Sequence, residues 1–296
     1  TYVPDELLVK FRPGVSDVAQ QRILRVHQAY VRAEISQIQV KIISVSPQAL
    51  EAVQEALSRN PLVEYVEKNM ILSPQSVPND PYYSKAWHLN KIQASQAWET
   101  SLGSPSVIVA VLDSGVDTAH PDLSPKLLSG YNFYDNNNDV TDVYGHGTKV
   151  AGVAAAVTNN SLGVAAIGWL PKILPIRVTD TSGYAYYSTL AQGLVYAADR
   201  GAKAAVVSFR IFGGITLLDA AKYLYDRGGW TVAAGGNDGA YHSDGDNPYI
   251  ISVSATSTDD SLATFSSYGS FIDLSAPGVS IYTTVKGGGY GAVSGT

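Results

Sequence analysis

The run Val107-Ile108-Val109-Ala110-Val111-Leu112-Asp113-Ser114-Gly115-Val116-Asp117 decides how the chain is read. Its unbroken apolar stretch describes a strand buried on both faces, the kind that builds parallel sheets. It ends on a carboxylate, Asp113. Further on stands Tyr144-Gly145-His146-Gly147-Thr148-Lys149-Val150-Ala151-Gly152, with His146 placed 33 residues after Asp113. A histidine between two glycines, followed by small residues, reads as a loop that presents an imidazole and then enters a tightly packed helix. The spacing leaves room for a loop and a return to the same sheet edge, so Asp113 and His146 are the first candidate functional pair.

Working outward, Lys172–Val178, Ala204–Phe209, Trp230–Ala234 and Ile250–Ala255 read as further buried strands. Thr189–Arg200 and Leu217–Arg227 read as the helices between them. Apolar runs alternating with helices predict an α/β fold with a parallel, doubly wound sheet covered on both faces. The Pro-rich stretch from Ser73 to Pro81 marks a boundary. Before it, Leu7–Phe11 reads as a strand and Val18–Tyr30 as a helix capped by Ser16 or Asp17. Ile35–Ile43 reads as one long strand or two, Ser46-Pro47 opens a helix that Asn60-Pro61 closes, and Val63–Glu67 is a last strand. The order β-α-β-β-α-β predicts a small α+β, ferredoxin-like unit. The chain is therefore divided into residues 1–72, a linker over 73–79, and a large domain over 80–296.

A net charge of −6 over 296 residues offers no basic surface for nucleic acid. No apolar run reaches the ~20 residues of a membrane helix. With no cysteine, neither disulfides nor thiolate metal sites exist.

Five segments, in this order, resemble the subtilisin-like serine proteases. They are DSGVDTAHPDL (113–123), GHGTKVAG (145–152), AAGGNDG (233–239), SAPGV (275–279) and SGT (294–296); PNDPYY and KIQASQAW are most similar to the thermitase branch. The resemblance implies a secreted serine endopeptidase working through an Asp–His–Ser triad. Asp113 and His146 take the first two roles, and Asn237 donates to the oxyanion. It implies that residues 1–72 are a propeptide that assists folding and inhibits the enzyme, with a processing bond near 70–77. Peptides and the chain's own propeptide are the implied partners, and a monomer the implied state. Substrate would lie along Gly183 and Tyr184 on one side and Ser208 and Phe209 on the other, with Ala234, Gly235 and Gly236 as the far wall. Structural calcium is implied at the carboxylates of Asp80 and Asp122, the side chain of Asn160 and the carbonyls of Thr158, Leu162 and Val164. The oxygen-rich run Asp135–Asp139 reads as a solvated loop, with a second, weaker cation as the alternative. His120, ahead of Pro121, reads as structural.

Two features depart from the family pattern. Val206-Val207-Ser208-Phe209-Arg210 has Val where Asn is usual and Arg210 where a small residue is usual, so no preference for the residue before the cut bond is assigned. Ser294-Gly295-Thr296 stops short of the expected serine, so residues 1–296 are expected to be inactive by themselves. A non-catalytic pseudoprotease or binding scaffold, and a protein whose N-terminal unit acts as inhibitor or chaperone, are the readings set against the zymogen.

Overall fold

The computed structural model describes residues 2–71 and 77–296, and the chain divides into two compact units, Thr1–Pro74 and Gln75–Thr296. The expected linker and processing window fall largely on residues 72–76, outside the described residues.

In the first unit β1 (Tyr2–Phe11) buries Leu7, Val9 and Phe11, every second residue, on one face. Then follow α1 (Asp17–Val26), β2 (Tyr30–Ile35), β3 (Val40–Ser44), α2 (Leu50–Ser58) and β4 (Val63–Met70). The Ser16 hydroxyl caps α1 by accepting the Ala19 N–H, with Asp17 in the first turn and Arg25 in the last. The helix ends at Val26 instead of running to Tyr30. Gln28 takes a left-handed conformation (φ 54°), which stops the helix and frees Tyr30 to start β2. The alternating run beyond Ile35 resolves into two strands, turning at Ser36–Gln39. α2 turns Leu50, Val53 and Leu57 inward at helical spacing. The antiparallel order β2-β3-β1-β4 is that of a ferredoxin-like sheet.

The second unit begins with two short helices, α3 (Trp87–Lys91) and α4 (Ala94–Thr100). Its sheet comprises β5 (Ile108–Asp113), β6 (Tyr131–Asn132), β7 (Lys172–Arg177), β8 (Ala204–Val207), β9 (Trp230–Ala234), β10 (Ile250–Thr256) and β11 (Leu274–Pro277). All neighbours are parallel, in the order β11-β10-β9-β8-β5-β7-β6. Ala110, Val111 and Leu112 on β5 are buried on both faces. On one side they meet the core of α6 (Tyr187–Asp199) and α7 (Ile215–Tyr225), on the other the core of α5 (Gly147–Ala155). Removing a side chain such as Leu112 from this layer costs about 2–5 kcal/mol.

The chain runs from β5 to β6 and β7 on one side, then crosses to β8 on the other. Strand order thus reverses around β5, and in such sheets ligands gather outside the carboxyl ends of the strands at that switch. β8 is shorter than expected. Its ladder with β5 ends at the pair Leu112 and Val207, so Ser208 and Phe209 leave the sheet for the loop above it. A hairpin that the sequence pattern did not announce, β12 (Ile281–Val285) and β13 (Gly289–Val293), packs on α5. There the hydroxyls of Thr283 and Thr284 donate to the carbonyls of Lys149 and Thr148 at 3.0 and 2.7 Å.

Candidate active site

Asp113 closes β5 and is 2% exposed. Its Oδ1 accepts the Ser114 N–H at 2.7 Å. Its carboxylate also faces Nδ1 of His146, with Oδ2 at 2.9 Å and Oδ1 at 3.0 Å. The approach depends on Gly147. A Cβ there would lie 2.1 Å from the Gly115 carbonyl oxygen and 2.9 Å from Cβ of Asp113. Any larger residue would push the histidine loop off the acid.

A second buried carboxylate, which sequence reasoning missed, holds that loop in shape. Asp142 Oδ1 accepts the Ser114 hydroxyl at 2.7 Å and the N–H groups of Gly145 and Tyr144 at 2.6 and 3.1 Å. Its Oδ2 accepts both the N–H and the hydroxyl of Thr148. Ser114 in turn accepts the Gly147 N–H at 3.0 Å. Burial pushes the Asp142 carboxyl up, but the bonds from Thr148, Ser114 and the backbone outweigh it and hold it below the usual carboxylate range. Nothing in the sequence separates Asp142 from Asp135 and Asp139 in the same loop.

The hydrogen bond with Asp113 raises the His146 imidazole above its ordinary value, against the opposing effect of burial. With the Nδ1 proton donated to Asp113, Nε2 carries the lone pair, and no hydrogen bond to it is found among the described residues. A cavity of about 160 Å³ opens there, lined by Asp113, Ser114, Tyr144, His146, Gly183, Ser208 and Phe209. Three of the seven expected cleft residues, Gly183, Ser208 and Phe209, therefore meet the Asp–His pair. Tyr184 is 75% exposed, and Ala234, which ends β9, with Gly235 and Gly236 just after it, does not line this cavity. Tyr144 is an addition, packed against Gly183. Arg210 is ion-paired with Asp244.

Asn237 lies in the loop after β9. Its Oδ1 accepts the N–H and hydroxyl of Thr296 at 3.0 and 3.1 Å, so Nδ2 is the amide atom left to donate. Ser294 gives its oxygen to the Ser280 N–H at 2.9 Å. His120 is fully buried, with Nε2 against the Gly289 carbonyl at 2.9 Å, a structural placement.

Away from this pair, the loop 158–164 folds around two more acids. Asp80 accepts the N–H groups of Asn159 and Asn160, at 2.8 and 3.3 Å. Asp122 accepts the Asn160 side-chain amide at 2.8 Å and the Val164 N–H at 3.0 Å. Gly163 is left-handed, and a Cβ on it would sit 2.0 Å from Asp122 Oδ2. Asp80 and Asp122 are 4% and 0% exposed, yet among the described residues no Lys, Arg or His pairs with either. Burial raises the Asp80 carboxyl, and the charge of Asp122 adds to the rise despite the opposing backbone bonds. The carbonyls of Thr158, Leu162 and Val164 accept no hydrogen bond among the described residues. Buried carboxylates without a cation partner beside carbonyls that accept no hydrogen bond are oxygen donors of the kind calcium takes. The Asn160 amide, however, turns its nitrogen to Asp122, and its oxygen accepts the Leu162 N–H at 2.9 Å. The Asp135–Asp139 loop differs, since Asp135 is ion-paired with Arg177 at 2.9 Å.

A parallel sheet switching direction at an Asp–His pair defines a hydrolase-like site of the serine-protease kind. The profile of the subtilase family matches residues 104–296, and that of the fervidolysin N-terminal prodomain matches residues 1–69. A thermophilic serine proteinase of Bacillus sp. (strain AK1) is 37% identical over 100% of this chain and 75% of its own length. Thermitase of Thermoactinomyces vulgaris is 42% identical over 74% of this chain and 80% of its own. Among solved structures, a protease from Pseudoalteromonas arctica superposes with a TM-score of 0.68 and 28% identity, covering 74% of this chain and 82% of that one. The chain belongs to the subtilase family, the subtilisin-like serine proteases, and carries a prodomain of the fervidolysin type.

Proposed function

We propose that the protein is the zymogen of a secreted serine endopeptidase acting through Asp113, His146 and a serine placed directly after Thr296. The observation that carries this reading is the His146 Nδ1 contact with a buried carboxylate at 2.9 Å, with Nε2 left free. A serine hydroxyl is a weak nucleophile until a positioned base takes its proton. His146 Nε2 takes that proton as the hydroxyl attacks the peptide carbonyl, then returns it to the leaving amine. Asp113 holds the ring in the required tautomer and stabilises the imidazolium. The Asn237 amide donates to the oxyanion, a contribution of about 10²–10³ in kcat for donors of this kind. Residues 1–72 serve as the inhibitory and folding-assisting propeptide, residues 73–79 as the processed linker, and residues 80–296 as the peptidase domain.

Calcium would be held by Asp80, Asp122, the Asn160 side chain and the carbonyls of Thr158, Leu162 and Val164. Bound there, it neutralises the two carboxylates and ties the segment around Asp80 to the domain.

The test extends residues 1–296 by the serine-bearing segment of a relative, with either Ser or Ala after Thr296. Mass spectrometry of the Ser form is expected to show two fragments meeting between residues 70 and 77, and of the Ala form one intact chain. The same cleavage in both forms would assign processing to an outside protease and end the zymogen reading.

A further inference from the structure

The loop that carries Asn237 is gripped on both sides of that residue by one buried serine. Ser267 is fully buried. Its N–H donates to the Gly236 carbonyl at 2.8 Å, and its hydroxyl donates to Asp238 Oδ1 at 2.6 Å. The Ser267 hydroxyl oxygen also accepts the Asp238 N–H at 3.4 Å, so Asn237 is bracketed, residue before and residue after, by three bonds to the same fixed point. The Asp238 carboxylate has further partners, the Ala240 N–H at 3.1 Å and His242 Nε2 at 2.8 Å from Oδ2. The strip continues alongside residues 265–268. The Gly239 N–H donates to the Phe265 carbonyl at 2.7 Å, the Tyr268 N–H to Ala240 at 3.0 Å, and the His242 N–H to Tyr268 at 2.8 Å.

A side chain 56% exposed, as Asp238 is, would ordinarily be held by water. Here the Ser267 hydroxyl, and after it His242, hold its carboxyl well below the usual carboxylate range. The buried end of the network is anchored independently, because the neighbouring Ser266 hydroxyl accepts the Ala255 N–H from β10 at 3.0 Å.

We propose that Asp238, locked by Ser267 and His242, is a positioning residue that sets the direction of the Asn237 amide toward the reacting carbonyl. The proposal rests on Asn237 being the oxyanion donor. An amide stabilises a transition state only where its N–H meets the developing charge, so a displaced loop loses rate and not ground-state binding.

The experiment is a double-mutant cycle in the full-length enzyme, residues 1–296 followed by the serine-bearing segment, with kcat and KM measured on one peptide substrate. Asp238→Ala is expected to lower kcat about tenfold, with KM nearly unchanged. In an Asn237→Ala background the same change is expected to alter kcat by less than about twofold, because the group being positioned is gone. Asp238→Asn keeps an acceptor for Ser267 and is expected to recover most of the loss. Equal tenfold losses in both backgrounds would overturn the proposal, as would an unchanged kcat in Asp238→Ala. Asn237→Ala without effect would instead overturn the oxyanion reading itself, a result separable from the other two. If Asp238→Ala does not fold, Ser267→Ala replaces it, with a smaller loss of kcat expected in the same direction and the same dependence on Asn237.

Discussion

Asp113 and Asp122 lie nine residues apart and are both buried, yet their surroundings differ in kind. Asp113 faces an imidazole, which can become a cation, and the effect of the pair appears on the partner, with His146 raised. Asp122 faces amide groups, and the effect there appears on its neighbour Asp80, whose carboxyl is raised by burial first and by the charge of Asp122 only after it. A buried acid needs a compensating charge or a full set of hydrogen bonds such as Asp142 has. In one region the chain supplies it, and the first role of that region is chemistry. In the other the described residues supply no such charge, and the calcium proposed there would compensate both carboxylates and hold the fold.

The largest effect expected from breaking this contrast is on rate. Asp113→Asn in the full-length enzyme keeps the shape but loses control of the tautomer, and kcat is expected to fall about 10⁴-fold. Peptide hydrolysis measures it directly, and a loss below tenfold would mean that His146 is oriented by something else.

The next effect is on stability. An ion that binds only the folded state adds about 2.7 kcal/mol at a hundredfold excess over its dissociation constant. Calorimetry with and without chelator is expected to show that shift, a rise in Tm of roughly 5–10 °C for a domain of this size. Asp122→Ala should remove most of it, and an unchanged calcium response in that variant would reject the site as assigned. The sign of its pH dependence follows from Asp80. Its raised folded pKa means that, without an ion, ionised Asp80 destabilises the fold at neutral pH, and the penalty is relieved as pH falls through that value. The calcium shift should therefore shrink between neutral and mildly acidic pH, as protons displace the ion. A shift that grew on acidification would contradict the carboxylate assignment.

Much of this was legible locally. An apolar run ending in Asp, and a His between glycines before small residues, placed Asp113 at the end of β5 and His146 at the head of α5. Five of the seven strands followed from runs long enough to be buried on both faces; β6 and β11, short and at the sheet's two edges, did not. The rest depends on partners far apart in sequence. Asp142 is indistinguishable from a loop acid until Ser114 and Thr148 close on it, and the grip on Asp238 comes from Ser267, 29 residues on. The end of α1 turns on one left-handed glutamine, which no propensity singles out. The β12–β13 hairpin is rich in Gly and Thr and lacks the apolar run that revealed the other strands.

The central claim is that Asp113 acts on His146, and it can be tested on residues 1–296 without any catalysis. The measurement is the pH titration of the His146 ring by NMR, in the parent chain and in Asp113→Asn. The contact stabilises the charged ring, and that stabilisation is complete below the unfolded pKa and lost as pH rises through the folded one. The account predicts a midpoint above the ordinary value of about 6.5 in the parent, and a lower one in the variant. A parent midpoint at or below that value, or one that Asp113→Asn does not move, would contradict it.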